Sequence, residues 1–144
     1  MVKYIKPTLK TKYHIDFNWW AEESRSLHRT LLEHLCDECR KAYEADPEIK
    51  TMDWVDPETA QVFTVDQLWY TIQTQCSQKS EFLADQLPLT SAIFRLFIAK
   101  NNTPLTSVEI QQHLHKRDAD TILRTIGGKV VFKGIRPVIP LISS

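Results

Sequence analysis

The stretch PLTSVEIQQHLHKRDADTILRTIGGKVVFKG, from Pro104 to Gly134, constrains the fold more than any other part of the chain. Thr106 and Glu109 have the spacing of a capping box, which predicts that a helix begins there, and Asp118 is predicted to cap a second helix. Four apolar residues share one face of that second helix at helical spacing: Ala119, Ile122, Leu123 and Ile126. The stretch therefore predicts two short helices joined by a tight turn.

The residues on either side of this pair extend the pattern. Thr90 is predicted to cap a preceding helix over about residues 91–100, which Asn101-Asn102 would end. After the pair, a left-handed glycine at Gly127-Gly128 is predicted to end the second helix. The segment KVVFKGIRPVIPL then predicts a strand, a tight turn at Lys133-Gly134 and a proline-limited edge strand.

This order of elements resembles the winged helix-turn-helix superfamily over about residues 88–140, and PLTSVEIQQHL resembles the start of the first helix of its helix pair. The resemblance implies DNA binding, with the second helix in the major groove and the wing on the phosphates. By position, it implies nucleic-acid contacts from the turn, the second helix and the wing: Lys116, Arg117, Thr121, Arg124, Lys129, Lys133 and Arg136.

Two observations bear on that interpretation in opposite directions. Residues 1–89 contain 10 Lys and Arg against 15 Asp and Glu, whereas residues 90–144 contain 8 against 3, so a phosphate-binding surface is predicted in the last third. Asp118 and Asp120, however, lie at the end of the helix that should approach the phosphates, and they repel them. Winged-helix domains also serve as protein-interaction modules. That alternative stays open, with a protein partner or a homodimer as the implied assembly.

The N-terminal part predicts a separate set of elements. Residues 1–18 indicate an extended arm or edge strand, in which Tyr4, Ile5, Tyr13, Ile15 and Phe17 are candidate buried positions. A four-residue apolar repeat predicts one long helix over about residues 20–43. A hairpin is predicted at about residues 51–63 around the turn-forming sequence DPET, followed by a helix that Thr64 and Gln67 open as a capping box.

These elements predict an α+β, mainly helical protein. An acidic helical lobe with a small hairpin is expected over residues 1–86 and a winged helix-turn-helix-like lobe over residues 87–144, unless the two form one compact unit. Trp19, Trp20, Trp54 and Trp69 all fall in the acidic lobe, as core residues or as anchors of a protein interface. The Ile/Val-rich tail VIPLI is a second candidate contact surface.

The three cysteines allow more than one interpretation. Cys36 and Cys39 have the C-x-x-C spacing of zinc and redox sites, and Cys76 is the third thiol. A four-coordinate zinc would need a histidine as well: His34, with His28 and His14 as further candidates. Cysteines on apolar helix faces also behave as small buried hydrophobic residues, so core packing without any cofactor is the favoured interpretation and a zinc site is the alternative. A thioredoxin-like redox site requires a strand before the motif, and the sequence predicts none there.

Several classes of function are not supported by any motif. The chain has three glycines and no phosphate-binding glycine loop, nucleophile elbow or paired-carboxylate motif, so we expect a protein that is not an enzyme. Its apolar runs are too short for a membrane span, and MVKYIKPTLKTKYHIDF has no apolar core of a signal peptide. A cytoplasmic protein without membrane partners is the expectation. The predicted function is a DNA-binding or transcription-associated accessory protein, with an interaction or scaffold module as the alternative.

Overall fold

A computed structural model of the chain describes residues 6–23 and 26–138, which form seven α-helices and two small antiparallel sheets. About 45% of the described residues are helical, so the expected α+β, mainly helical class is confirmed. The elements are, in chain order, β1 (Lys12–Ile15), α1 (Phe17–Glu22), α2 (Leu27–Glu33), α3 (Asp37–Ala45), β2 (Thr51–Val55), β3 (Val62–Asp66), α4 (Leu68–Thr74), a 3-10 turn (Cys76–Gln78), α5 (Leu89–Ala99), β4 (Leu105–Thr106), α6 (Ser107–Leu114), α7 (Ala119–Ile126) and β5 (Ile135–Pro137).

The larger sheet has the strand order β4-β1-β5, with β1 in the middle. Tyr13 lies opposite Leu105 on one side and Pro137 on the other, so both edges of β1 are paired. The predicted extended conformation and the burial of Tyr13 and Ile15 are confirmed, but the predicted edge position was wrong, because β1 pairs with a strand on each side. The candidate buried positions Tyr4 and Ile5, and the tail beyond Val138, lie outside the described residues.

The predicted β-wing does not form as a hairpin of two consecutive strands. Of the segment after α7, within the described residues, only Ile135–Pro137 is a strand, and it pairs with β1. The order α5, β4, α6, α7, β5 is nevertheless present. The first strand of the expected wing is thus absent, and the strand that β5 pairs with comes from the N-terminal arm.

The single long helix predicted over residues 20–43 is divided among α1, α2 and α3. Polar side chains start two of the pieces, since Asp16 accepts a hydrogen bond from the backbone N–H of Asn18 and Ser26 accepts one from that of Arg29. Cys36 precedes α3 in an extended conformation. Such caps compete with a continuous helix, and the four-residue apolar repeat does not reveal the breaks.

Two other predicted helix starts shift along the chain. Thr64 lies inside β3, and α4 begins only at Leu68, whose N–H donates to Asp66 Oδ1 at 2.8 Å. The predicted capping box at Thr64 was therefore wrong. α5 begins at Leu89, with Pro88 as its N-cap residue, so Thr90 lies within the helix rather than before it. The predicted hairpin is confirmed as β2 and β3, paired from Thr51 with Asp66 to Val55 with Val62.

The helix pair forms as the sequence predicts. Thr106 Oγ1 accepts from the N–H of Glu109 at 3.2 Å and Glu109 Oε1 accepts from that of Thr106 at 3.0 Å, which completes the capping box. Asp118 caps α7. Gly127 has a φ of −95° and is not left-handed; a Cβ there would lie 2.6 Å from the carbonyl oxygen of Leu123. Close packing, rather than a left-handed turn, thus requires this glycine.

Two asparagines connect β1, the hairpin and the end of α5. The side chain of Asn102 accepts from the N–H of Ile15 at 2.8 Å and donates to its carbonyl at 2.9 Å. Asn101 Oδ1 accepts from the indole N–H groups of Trp54 and Trp69, both at 3.1 Å. Both asparagines have positive φ, 51° and 62°, a conformation that asparagine tolerates better than most residues. Asn101-Asn102, which the sequence predicts as a helix end, therefore also joins α5 to β1 and to the tryptophans of β2 and α4.

The core runs through both halves of the chain. All four tryptophans are buried, at most 9% exposed, which favours the core interpretation of these residues over the interface one. Six of the eleven residues of α5 are buried as well. Among the described residues, no helix combines the length and apolar character that crossing a membrane would require.

The junction gives a first prediction. Asn102→Gly keeps the positive φ but removes both hydrogen bonds to Ile15, and it should lower the free energy of unfolding by about 2–4 kcal/mol, because a buried N–H and C=O lose their partners. Asn102→Ala should cost about 1 kcal/mol more through backbone strain. Urea unfolding of both variants checks this. A loss below about 0.5 kcal/mol in Asn102→Gly would contradict the stabilising role of the two bonds.

Candidate metal centre and nucleic-acid interface

The three cysteines come together at the start of α3. Cys36 and Cys39 lie on one turn of chain there, and Cys76 reaches them from the 3-10 turn after α4. Their sulfur atoms all lie within 4.8 Å of one another, and all three are free thiols. Tetrahedral zinc with Zn–S bonds of about 2.3 Å needs sulfurs about 3.8 Å apart. The thiols are therefore close enough to bind a metal ion after small side-chain rotations.

The local structure supports this geometry. The backbone N–H of Cys36 donates to Cys76 Sγ at 3.2 Å, and Cys39 Sγ donates to Gln75 Oε1 at 3.4 Å. A hydrogen bond donated to a ligating sulfur, such as the one that Cys76 Sγ accepts, is usual at metal sites. The bond to Gln75 belongs to the metal-free thiol, because Cys39 would lose its proton on binding a metal. The N-terminus of α3 adds a positive partial charge that favours thiolates over thiols.

The environments of the thiols differ. Burial works to raise the pKa of Cys36, but hydrogen bonds from Cys39 and Cys76 and the charge of Lys79 outweigh it and lower that pKa. Burial raises the pKa of Cys39, and it raises the pKa of Cys76 to about 12. Cys36 is also half-buried, whereas Cys39 and Cys76 are buried. Without metal, Cys36 is thus the reactive thiol of the three.

His34, the predicted fourth ligand, does not belong to this group of thiols. Its Nδ1 accepts a hydrogen bond from Arg95 Nε at 2.9 Å. Burial, with the charges of Arg95 and Lys133, lowers the pKa of His34 to about 4, so the ring is neutral near pH 7. Because an arginine can only donate, Nδ1 carries the lone pair and the proton is on Nε2. In this tautomer neither nitrogen is available to a metal ion.

The two other candidate histidines are also placed elsewhere. His28 uses both ring nitrogens, Nδ1 with Asp66 and Nε2 with the hydroxyl of Tyr43 at 3.0 Å. His14 lies on β1 opposite Arg136. Burial lowers its pKa, an effect that the nearby Asp16 partly offsets. The structure therefore gathers three of the four predicted metal ligands, Cys36, Cys39 and Cys76.

The predicted nucleic-acid contacts divide into two groups. Arg117, Arg124 and Lys129 are exposed at the turn before α7, on α7 and just after it. Thr121 is half-buried, and its hydroxyl accepts from Arg124 at 3.2 Å. Half-buried Lys116 donates to the carbonyl of Asp85, on the loop before α5. These five residues lie in the turn before α7, on α7 and just after it.

The two remaining residues point toward the rest of the protein. Arg136 Nη1 lies 3.3 Å from an oxygen of Asp16 and 3.9 Å from one of Glu22. Lys133 Nζ lies over the ring of buried Phe94, 5.9 Å from its centroid. Both cations came from the predicted wing, and without that hairpin they serve internal contacts.

The Asp118 side chain caps the N-terminus of α7. Its carboxylate accepts from the N–H of Thr121 at 2.7 Å, and this hydrogen bond lowers the pKa of Asp118. The α7 N-terminus therefore offsets part of the negative charge that the sequence places there. Asp120 remains an exposed carboxylate on α7. A cavity of about 400 Å³ between this turn and the loop before α5 is lined by Asp85, His115, Lys116 and Arg117, among others.

Sequence reasoning missed Arg95. This residue of α5 donates to His34 and, through Nη1, to the carbonyl of Phe82 at 2.9 Å. It thereby connects α5 to α2 and to the chain that follows Cys76. The only signal was a single charged residue inside the apolar run SAIFRLFIAK, which predicts a buried, paired arginine.

Comparison of the chain with protein-family models, with curated proteins and with solved structures found no match.

The thiol environments generate a second prediction. In metal-free, reduced protein at about pH 8, iodoacetamide should alkylate Cys36 at least about tenfold faster than Cys76, because thiolate fraction and exposure both favour Cys36. Tandem mass spectrometry of the peptides gives the rates. Cys36→Ser should abolish the fast phase. Equal rates for Cys36 and Cys76 would contradict the described difference in environment.

Proposed function

We propose that this chain is a non-enzymatic, DNA-binding accessory protein of the cytoplasm, acting through a winged-helix-like C-terminal lobe. The exposed cations Arg117, Arg124 and Lys129 along α7 are the observation that carries the proposal. They surround a helix whose opposite face, Ile122 and Ile126, is buried. Such a helix is held firmly while its polar face stays available to a groove.

The fold order supports the comparison with winged helices. α5, β4, α6 and α7 follow one another as in that superfamily, and β5 closes the sheet. The departure is the wing, whose place beside β5 is taken by β1. Contacts to phosphates would consequently come from the turn and α7. Lys116 and Thr121 would contribute less, because both are half-buried.

The DNA proposal predicts a weak, salt-dependent affinity. With about three phosphate contacts, the affinity for mixed duplex DNA should fall about 40-fold between 50 and 200 mM salt. Arg124→Gln should weaken binding about threefold to tenfold. Asp118→Asn should strengthen it about twofold to fivefold, because asparagine keeps the cap and removes the charge. Fluorescence anisotropy measures all three effects.

A matched control comes from the acidic part of the chain. Arg29→Gln removes an exposed arginine of α2 and should leave the affinity unchanged. Absence of binding at low salt would overturn the DNA proposal. The second candidate, an interaction module, would then be favoured by the apolar side chains after α7, Val130 at 65% and Phe132 at 39% exposed. Light scattering of the same samples reports whether a homodimer forms.

We also propose that the metal held by the cysteines is zinc. Three thiolates select soft or borderline ions, and zinc has no redox chemistry that would oxidise them. The start of α3 and the 3-10 turn would then be fixed to each other around the ion. This is a structural role, compatible with either function of the C-terminal lobe.

The zinc proposal predicts about one zinc per chain in protein purified without chelator. Removal by a strong chelator should lower the melting temperature by about 10 °C, since ligand bound at about a thousand times its dissociation constant stabilises by about 4 kcal/mol. Cys76→Ser should lose stoichiometric zinc, whereas His34→Gln should retain it. Elemental analysis and thermal unfolding test this. Only trace zinc in the wild-type protein would overturn the proposal.

A further inference from the structure

A cavity of about 150 Å³ opens beside the cysteine cluster. Cys36 and Cys76, two of the three cysteines, form part of its wall. Two cationic side chains, Lys79 and Arg95, line it together with His34. A metal ion held by the three thiols would therefore be accessible from this side.

The fourth coordination position has no protein ligand among the described residues. The group of candidate ligands contains the three cysteines alone. His34 borders the cavity, but the bond from Arg95 places its proton on Nε2 and leaves no lone pair for a metal. Zinc sites with three protein ligands keep the fourth position for water or another exogenous ligand.

The polar groups around the cavity fit an anion. His34 is 5% exposed, and its Nε2–H has no hydrogen-bond partner among the residues described, which is costly for a buried donor. Lys79 and Arg95 add two positive charges. Asp37 and Glu81 also line the cavity, and Glu38 binds Lys79 at 3.1 Å, so the ligand has to be small and close to the metal.

We propose that the fourth position of the cysteine site is occupied by a small monodentate anion that enters through this cavity. The anion accepts a hydrogen bond from His34 Nε2 and is attracted by Lys79. This inference rests on the proposed zinc site and deepens it, since it makes the site an open one that exchanges its fourth ligand. Arg95 is a positioning residue, because it fixes the tautomer of His34.

The test uses the full chain loaded with cobalt(II), whose visible spectrum reports the ligands of a tetrahedral site, and azide as the anion. We expect azide to change the spectrum in a saturable way, with one equivalent bound per cobalt. Lys79→Gln should weaken azide binding about threefold to tenfold. Lys50→Gln is the matched control, because Lys50 also pairs with a single glutamate, Glu48, and it should have no effect.

X-ray absorption of the zinc protein provides a second measurement. We expect three sulfur neighbours and one light atom, both in the wild type and in His34→Gln. Loss of the light atom in His34→Gln, or a cobalt spectrum that azide leaves unchanged, would overturn the open site while leaving the zinc proposal intact. Failure of the chain to bind either metal would overturn both.

Discussion

The two hydrogen bonds between the Asn102 side chain and the backbone of Ile15 are the contact on which the sheet depends. β1 is separated from its two partners by some ninety or more residues of chain, so its position is determined by tertiary contacts alone. The amide of Asn102 pairs with both backbone polar groups of Ile15, the last residue of β1, where a neighbouring strand would otherwise be needed. Asn101 adds the indoles of Trp54 and Trp69 to the same junction.

A second connection passes through Arg95. Its guanidinium lies between α2, represented by His34, and the chain after the 3-10 turn, represented by Phe82. Burial lowers the pKa of Arg95, an effect that nearby Cys76 partly offsets, so a cation at this position needs these acceptors. The surroundings of the cysteines therefore depend on α5, although all three thiols belong to the acidic part of the sequence.

The sequence could predict what is decided locally. The capping box at Thr106, the cap at Asp118 and the hairpin turn after Val55 each depend on residues a few positions apart, and all three are present. The clustering of Cys76 with the C-x-x-C pair was predicted only as one of several alternatives, because spacing does not show where two helices meet. The breaks between α1, α2 and α3 were missed because an apolar repeat continues across them.

The wing shows the limit of pattern-based inference most clearly. β-branched residues around Lys133-Gly134 fit a hairpin as well as they fit the observed turn, in which Lys133 and Gly134 both have positive φ. Contacts with residues outside this segment determine which of the two structures forms. Gly134 accepts from the N–H of Asp16 at 2.8 Å, and a Cβ on it would lie 2.6 Å from the indole nitrogen of Trp20.

The pairing of β5 with β1 also determines which cations of the last third remain available to bind DNA. Once the chain after α7 turns toward α1, Arg136 meets the carboxylates of Asp16 and Glu22, and Lys133 meets Phe94. The positive excess of the last third is thus partly used to join it to the acidic first third. A net charge counted along the sequence overestimates the cations on the surface of α7, because it includes those that the fold pairs internally.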